Sequence, residues 1–102
     1  MTDDQMALVA RALAHPARIR IVQLLAAQTE CQGHEVFSEL PLAQSTVSQH
    51  LRVLKEAGLV KSQPVGTGMV YCLVASVLEE FHQAVGDISA SSLASSQGHV
   101  GC

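Results

Sequence analysis

Three thiols and five imidazoles are the side chains of this 102-residue chain best suited to ligand or redox chemistry. The thiols stand far apart, at Cys31, Cys72 and Cys102, and an odd number at wide spacing does not describe a disulfide framework. In a reducing compartment such residues are either inert small hydrophobes or reactive ligands. His34 follows Cys31 at a C-x-x-H spacing, but zinc sites usually need two such pairs and the sequence offers one. His15, His34, His82 and His99 stand singly, so each reads first as a structural or surface residue. There is no Gly-rich phosphate loop, no nucleophile elbow and no pair of carboxylates in a plausible cleft. The chain is therefore not expected to be an enzyme.

A second set of polar groups lies in "LAQSTVSQHLRVLKEAGLV", Leu42 to Val60. At the helical step of about 100° per residue, Val47, Leu51, Leu54 and Ala57 share one arc. Ser45, Ser48, Gln49, Arg52, Lys55 and Glu56 fall on the opposite arc, and Gly58 stands where a helix-terminating glycine belongs. Short polar side chains near the N-terminal half of a helix suit base edges in a DNA major groove. Ser45, Thr46, Ser48 and Gln49 fit that task, and Gln49 is the best match to adenine, a contact worth about 1–3 kcal/mol. Arg52 and Lys55 lie further along, where phosphate oxygens would be met. His50 sits at the edge of the apolar arc, where a half-buried structural histidine and a base contact fit equally well.

The elements that must hold this helix follow from periodicity. Met6, Val9, Ala10 and Leu13 recur at helical spacing, and Pro16 ends that helix and opens the next. Ile19, Ile21, Val22, Leu24 and Leu25 are apolar on most sides, so the second helix should be central. A short helix is expected over Val36 to Leu40, stopped by Pro41. After Gly58 the period changes to that of two strands, "LVKSQPV" and "MVYCLV", around a glycine turn, with Pro64 at an edge position. "SVLE" reads as a capping box with Ser76 at the N-cap, opening a last helix with the stripe Leu78, Phe81, Val85 and Ile88. The sequence predicts one domain over residues 1–88 and a Ser-rich flexible tail over 89–102. The fold class is mainly α with a small β-hairpin, in winged helix-turn-helix order.

Charge placement bears on the partner. The net charge is −3, yet between Ala43 and Gly68 only Glu56 opposes Arg52, Lys55 and Lys61. Affinity for phosphate depends on charge at the contact surface, so the acidic total does not exclude DNA. It does argue against a protein that coats DNA without specificity. No apolar run approaches the roughly 20 residues needed to span a bilayer, and the acidic start lacks a signal-peptide core, so a cytoplasmic location without membrane association is expected.

"ALAHPARIRIVQLL" (Ala12 to Leu25), "LAQSTVSQHLRVLKEAGLV" and the "VYCL" strand (Val70 to Leu73), at this spacing, resemble the ArsR/SmtB family of winged-helix repressors. The resemblance extends over nearly the whole chain to about Val85. It implies a homodimer on a palindromic operator, released when an inducer binds. It also implies that the first and last helices pair across the dimer, which assigns Met6, Val9, Leu13, Leu78, Phe81, Val85 and Ile88 to the interface. Two departures stand out. Ala43 replaces the serine often found at the start of the reading helix, and the wing turn "VGTGM" lacks the usual Arg or Lys. Wing contacts are thus limited to Lys61 on the strand, Thr67 and backbone.

Members of this family often detect metals or metalloids. The arsenic-type Cys-x-Cys-Asp-Leu site is not present, since Gln32 and His34 occupy its cysteine positions. Glu80 and His82 match the first half of the zinc-type site on the last helix, but the second half falls near Leu93, which cannot ligate. What remains is Cys31, Cys72 and Cys102, a thiolate set suited to a soft ion such as As(III), Cd(II) or Pb(II). The alternatives are a thiol redox or persulfide switch between Cys31 and Cys102, with Cys72 a buried small residue, or no thiol sensing at all. A rival of another class is a winged helix used only for protein–protein association.

Overall fold

A computed structural model of the chain describes residues 1–95, which form four helices and a two-stranded sheet. Helix α1 spans Asp3–Ala12 and is closed at its start by a capping box between Thr2 and Gln5. Helix α2 (Pro16–Ala26) has proline at its first position, and the His15 ring Nδ1 accepts the Ala17 N–H at 3.1 Å. Residues that would otherwise leave first-turn donors unpaired are thus satisfied locally. A single 3-10 turn, His34–Phe37, replaces the helix expected over Val36 to Leu40. Phe37 is its one buried residue, too little apolar surface to hold a longer helix, and Pro41 blocks extension.

Helix α3 spans Gln44–Glu56. Its arc Val47, Leu51, Leu54 is buried, and burial of each such side chain contributes about 1.5–3 kcal/mol. Gly58 ends the helix with φ 80°, while its N–H bonds the Lys55 carbonyl and the Leu59 N–H reaches the Leu54 carbonyl. That is the Schellman pattern, and it needs the left-handed conformation that glycine tolerates. Strand β1 (Val60–Val65) then pairs antiparallel with β2 (Gly68–Leu73), in the register Val60 with Leu73 and Val65 with Gly68.

Helix α4 spans Ala75–Ser95. It starts one residue before Ser76, with the Val77 and Leu78 amides bonded to the Val74 carbonyl, so Ser76 lies in the first turn and is not the expected cap. The helix also runs past Ile88 through residues assigned to the tail. Serine disfavours a helix interior only mildly, and Ala90, Leu93 and Ala94 are interspersed, so an established helix propagates. The predicted tail therefore starts too early, and its residues 96–102 lie outside the described part.

The core is one cluster: Val9 and Ala12 of α1, Ile21, Val22 and Leu25 of α2, Phe37, the α3 arc, and Ala57, Leu59 and Val60 behind it. All of it is aliphatic except Phe37. Helix α2 packs Ile21, Val22 and Leu25 into this cluster, while Leu24 is half-buried and Ile19 is 39% exposed, so its apolar surround is covered on one side only. Among the described residues no helix is long and apolar enough to cross a membrane.

Candidate nucleic-acid interface

Because the α3 arc is drawn inward, the opposite arc is held outward. Ser45, Ser48, Gln49, Arg52, Lys55 and Glu56 are all exposed, and Thr46 is half-buried. Lys61 is exposed on β1 and Thr67 at the hairpin tip. The expected reading face is thus brought together on one helix and the adjoining hairpin. Lys55 Nζ donates to Ser62 Oγ at 2.8 Å, which fixes the end of α3 to the wing. Between them runs a groove of about 190 Å³ walled by Ser48, Leu51, Arg52, Lys55 and Tyr71.

Helix α3 begins after Ala43 with no side-chain cap, as the missing serine predicts. In place of a cap side chain, the Ala43 carbonyl accepts the Thr46 and Val47 amides at 3.0 and 3.1 Å.

His50 is half-buried, and its ring lies 4.6 Å from that of His15. Burial chiefly, then the neighbouring His15 and Arg18, lower its pKa from the usual histidine value. It is a packing residue of the α2–α3 contact as much as a member of the outward face. Arg20 is paired with Glu39, both exposed.

Tyr71 was not singled out by residue type or period, yet it is the hub behind the interface. Its backbone exchanges two hydrogen bonds with Gln32, each 2.8 Å, so the segment after α2 joins the sheet as an isolated bridge. Its hydroxyl meets His34 Nε2 at 3.3 Å, and its ring stands edge-on to His34 and Phe37. His34 is accordingly structural. In the sequence only strand alternation bears on this position, since it sets Tyr71 and Cys72 on opposite faces of β2.

The structure brings two of the three thiols together. Cys31 lies beyond the end of α2 and is disulfide-bonded to Cys72 of β2, with their Cα atoms 4.4 Å apart. Cys72 is half-buried, outside the fully buried core, and Cys31 is bonded to it, whereas the expected pairing is Cys31 with Cys102. Bonded sulfurs offer no thiolate, and Cys102 lies outside the described residues, as does His99. Among the described residues no group of three His, Cys, Asp or Glu side chains could hold a metal ion. Glu80 and His82 are exposed neighbours on α4, and Leu93 stands where further ligands would be needed.

At the expected dimer surface the residues divide. Val9 is 1% exposed and belongs to this chain's own core, so it is not available to a partner. Helical spacing locates a stripe but does not say which neighbour covers it. Leu13, Leu78 and Phe81 pack partly against the core, and Met6 is half-buried. Leu8, Val85 and Ile88 are 42%, 44% and 61% exposed, large apolar side chains of α1 and α4 left uncovered among the described residues.

A helix presented by two supporting helices, with a hairpin at its flank, defines a winged helix-turn-helix DNA-binding domain. Residues 15–62 match the family model described as "Bacterial regulatory protein, arsR family". The HTH-type transcriptional regulator MJ1325 of Methanocaldococcus jannaschii is 32% identical over 85 residues, 83% of this chain and 96% of that one. Rv0081 of Mycobacterium tuberculosis, another HTH-type regulator, is 40% identical over 70 residues, and the match spans 61% of its length. The homodimeric winged helix-turn-helix DNA-binding domain of Mb0332 from Mycobacterium bovis superposes with a TM-score of 0.67 at 29% identity, covering 90% of this chain and 89% of that one. This chain belongs to the ArsR family of transcriptional regulators.

Proposed function

We propose that the chain is a repressor that binds operator DNA as a homodimer through α3 and is released when an inducer acts on its thiols. One observation carries the DNA-binding part. Every cation between Ala43 and Gly68, with Ser45, Ser48 and Gln49, faces solvent from α3 and the hairpin beside it. Arg52, Lys55 and Lys61 meet phosphates, while Ser45, Thr46, Ser48 and Gln49 read bases and Thr67 and the wing backbone add minor contacts. Dimerisation covers Leu8, Val85 and Ile88 and places two reading helices on two half-sites.

For the inducer, the expected set is Cys31, Cys72 and Cys102 around As(III) or another soft ion. The meeting of Cys31 with Cys72 supports induction through thiols, and their bonding favours oxidation over metalloid capture. The test is a gel shift on the gene's own upstream DNA, titrated with salt. A saturable, salt-sensitive complex is expected, whereas a winged helix serving only protein association would give neither feature. Adding As(III) to the reduced complex, with Cys31→Ser, Cys72→Ser and Cys102→Ser alongside, decides the inducer. Release that needs all three thiols establishes the metalloid reading. Release by no agent through any thiol refutes thiol induction and leaves DNA binding standing.

A further inference from the structure

Cys31 and Cys72 are separated by 41 positions in sequence, and they meet because β2 runs beside the segment that follows α2. Next to them, Gln32 and Tyr71 are already clasped by two backbone hydrogen bonds. Both cysteines are half-buried on the wall of a cleft of about 200 Å³, lined also by Leu25, Gln28, Thr29 and Leu73. A small oxidant can enter it. Disulfides hold their Cα atoms about 4.4–6.8 Å apart, and this pair sits at the near end. Reduction must take the sulfurs from bonding to van der Waals separation, so β2 and the loop cannot keep this spacing without a rotamer or backbone change. The residue adjoining Cys72 is Tyr71, whose ring walls the groove shared with Ser48, Arg52 and Lys55. A change at the sulfurs is thus one residue from the nucleic-acid face.

We propose that Cys31 and Cys72 are a reversible oxidation site for hydroperoxides, and that closing the bond pins the wing and weakens operator binding. The inference rests on the operator-binding reading above. One thiolate takes a hydroperoxide oxygen and a proton, giving a sulfenic acid and releasing the alcohol, or water from hydrogen peroxide itself. The other thiol displaces hydroxide from that sulfur and, with its own proton, releases water as the S–S bond forms. Two thiols are oxidised, the O–O bond is reduced, and a dithiol reverses the change by exchange. With the bond closed, β2 is fixed to the loop at one side while Lys55 and Ser62 hold β1 to α3 at the other. The hairpin then loses the freedom to settle on the DNA backbone while α3 enters the groove.

The full-length protein is reduced, freed of reductant and treated with hydrogen peroxide. Peptide mass mapping is expected to find Cys31 linked to Cys72, and the oxidised protein to bind the upstream fragment on the order of fivefold more weakly or worse. A dithiol should restore binding. Cys102→Ser should respond like the natural sequence, while Cys31→Ser and Cys72→Ser should stay bound under peroxide. Absence of the linked peptide overturns the proposal, and so does a linked protein that binds as tightly as the reduced one or tighter. If the reduced protein forms no specific complex, the operator-binding reading has failed and this inference falls with it.

Discussion

Removing Arg52 gives the most direct measure of the interface. Each protomer presents Arg52, Lys55 and Lys61 beside the reading residues, so a dimer offers six cations to the duplex. Every phosphate neutralised releases about 0.9 counterion, which gives a slope of about −5 for log affinity against log salt. Raising salt from about 50 to 200 mM should then weaken binding by roughly a thousandfold. Arg52→Ala deletes two contacts per dimer. The slope should fall to about −3.5, and the same salt step should cost only about a hundredfold. Arg52 is exposed and contributes nothing to the core, so the fold survives the change. Fluorescence anisotropy on a labelled operator across a salt series reads both slopes. An unchanged slope in the variant would remove Arg52 from the phosphate contacts. A natural-sequence slope shallower than about −2 would refute the assignment of this face to DNA.

Three further outcomes follow from named residues. Leu54 is fully buried at the centre of the cluster, so Leu54→Ala should cost about 2–5 kcal/mol in urea unfolding at fixed protomer concentration, and a loss under 1 kcal/mol would contradict its place in the core. Ile88→Glu should yield monomers in sedimentation with an unaltered helical spectrum, because Ile88 is exposed in the single chain and a two-fold interface would set the new charges against each other. A dimer that persists would relocate the interface. The depressed pKa of His50 means that the unfolded chain takes up the proton more readily, so stability rises with pH through that window and is lost as pH falls below about 6.5. His50→Gln should flatten urea midpoints between about pH 7 and 5 relative to the natural sequence, and an equal acid loss in both would assign it to other groups.

The reading face was legible in the sequence because one physical pattern decided it. Val47, Leu51 and Leu54 must be buried, and helical geometry then leaves Ser48, Gln49 and Arg52 outside. Gly58 was legible for a comparable reason, since a left-handed residue at that point admits few alternatives. Val9 misled because its stripe is real but its cover is intrachain. Ser76 misled because the chain entering α4 is fixed by the Val74 N–H on the Leu59 carbonyl at 2.8 Å, which starts the helix early. The Cys31–Cys72 meeting had no local signature at all. It depends on the bridge between Gln32 and Tyr71, a long-range pairing of residues that no period marks.

The Cys31–Cys72 bond encloses all of α3, all of β1 and the turn at Gly66 and Thr67 within one covalent ring. A protease that severs the exposed hairpin tip therefore opens the ring without dividing the molecule. On a denaturing gel without reductant such a cut protein migrates as one species, and thiol treatment parts it into two. Nicking thus reports the oxidation state of a population of molecules directly, with no DNA present.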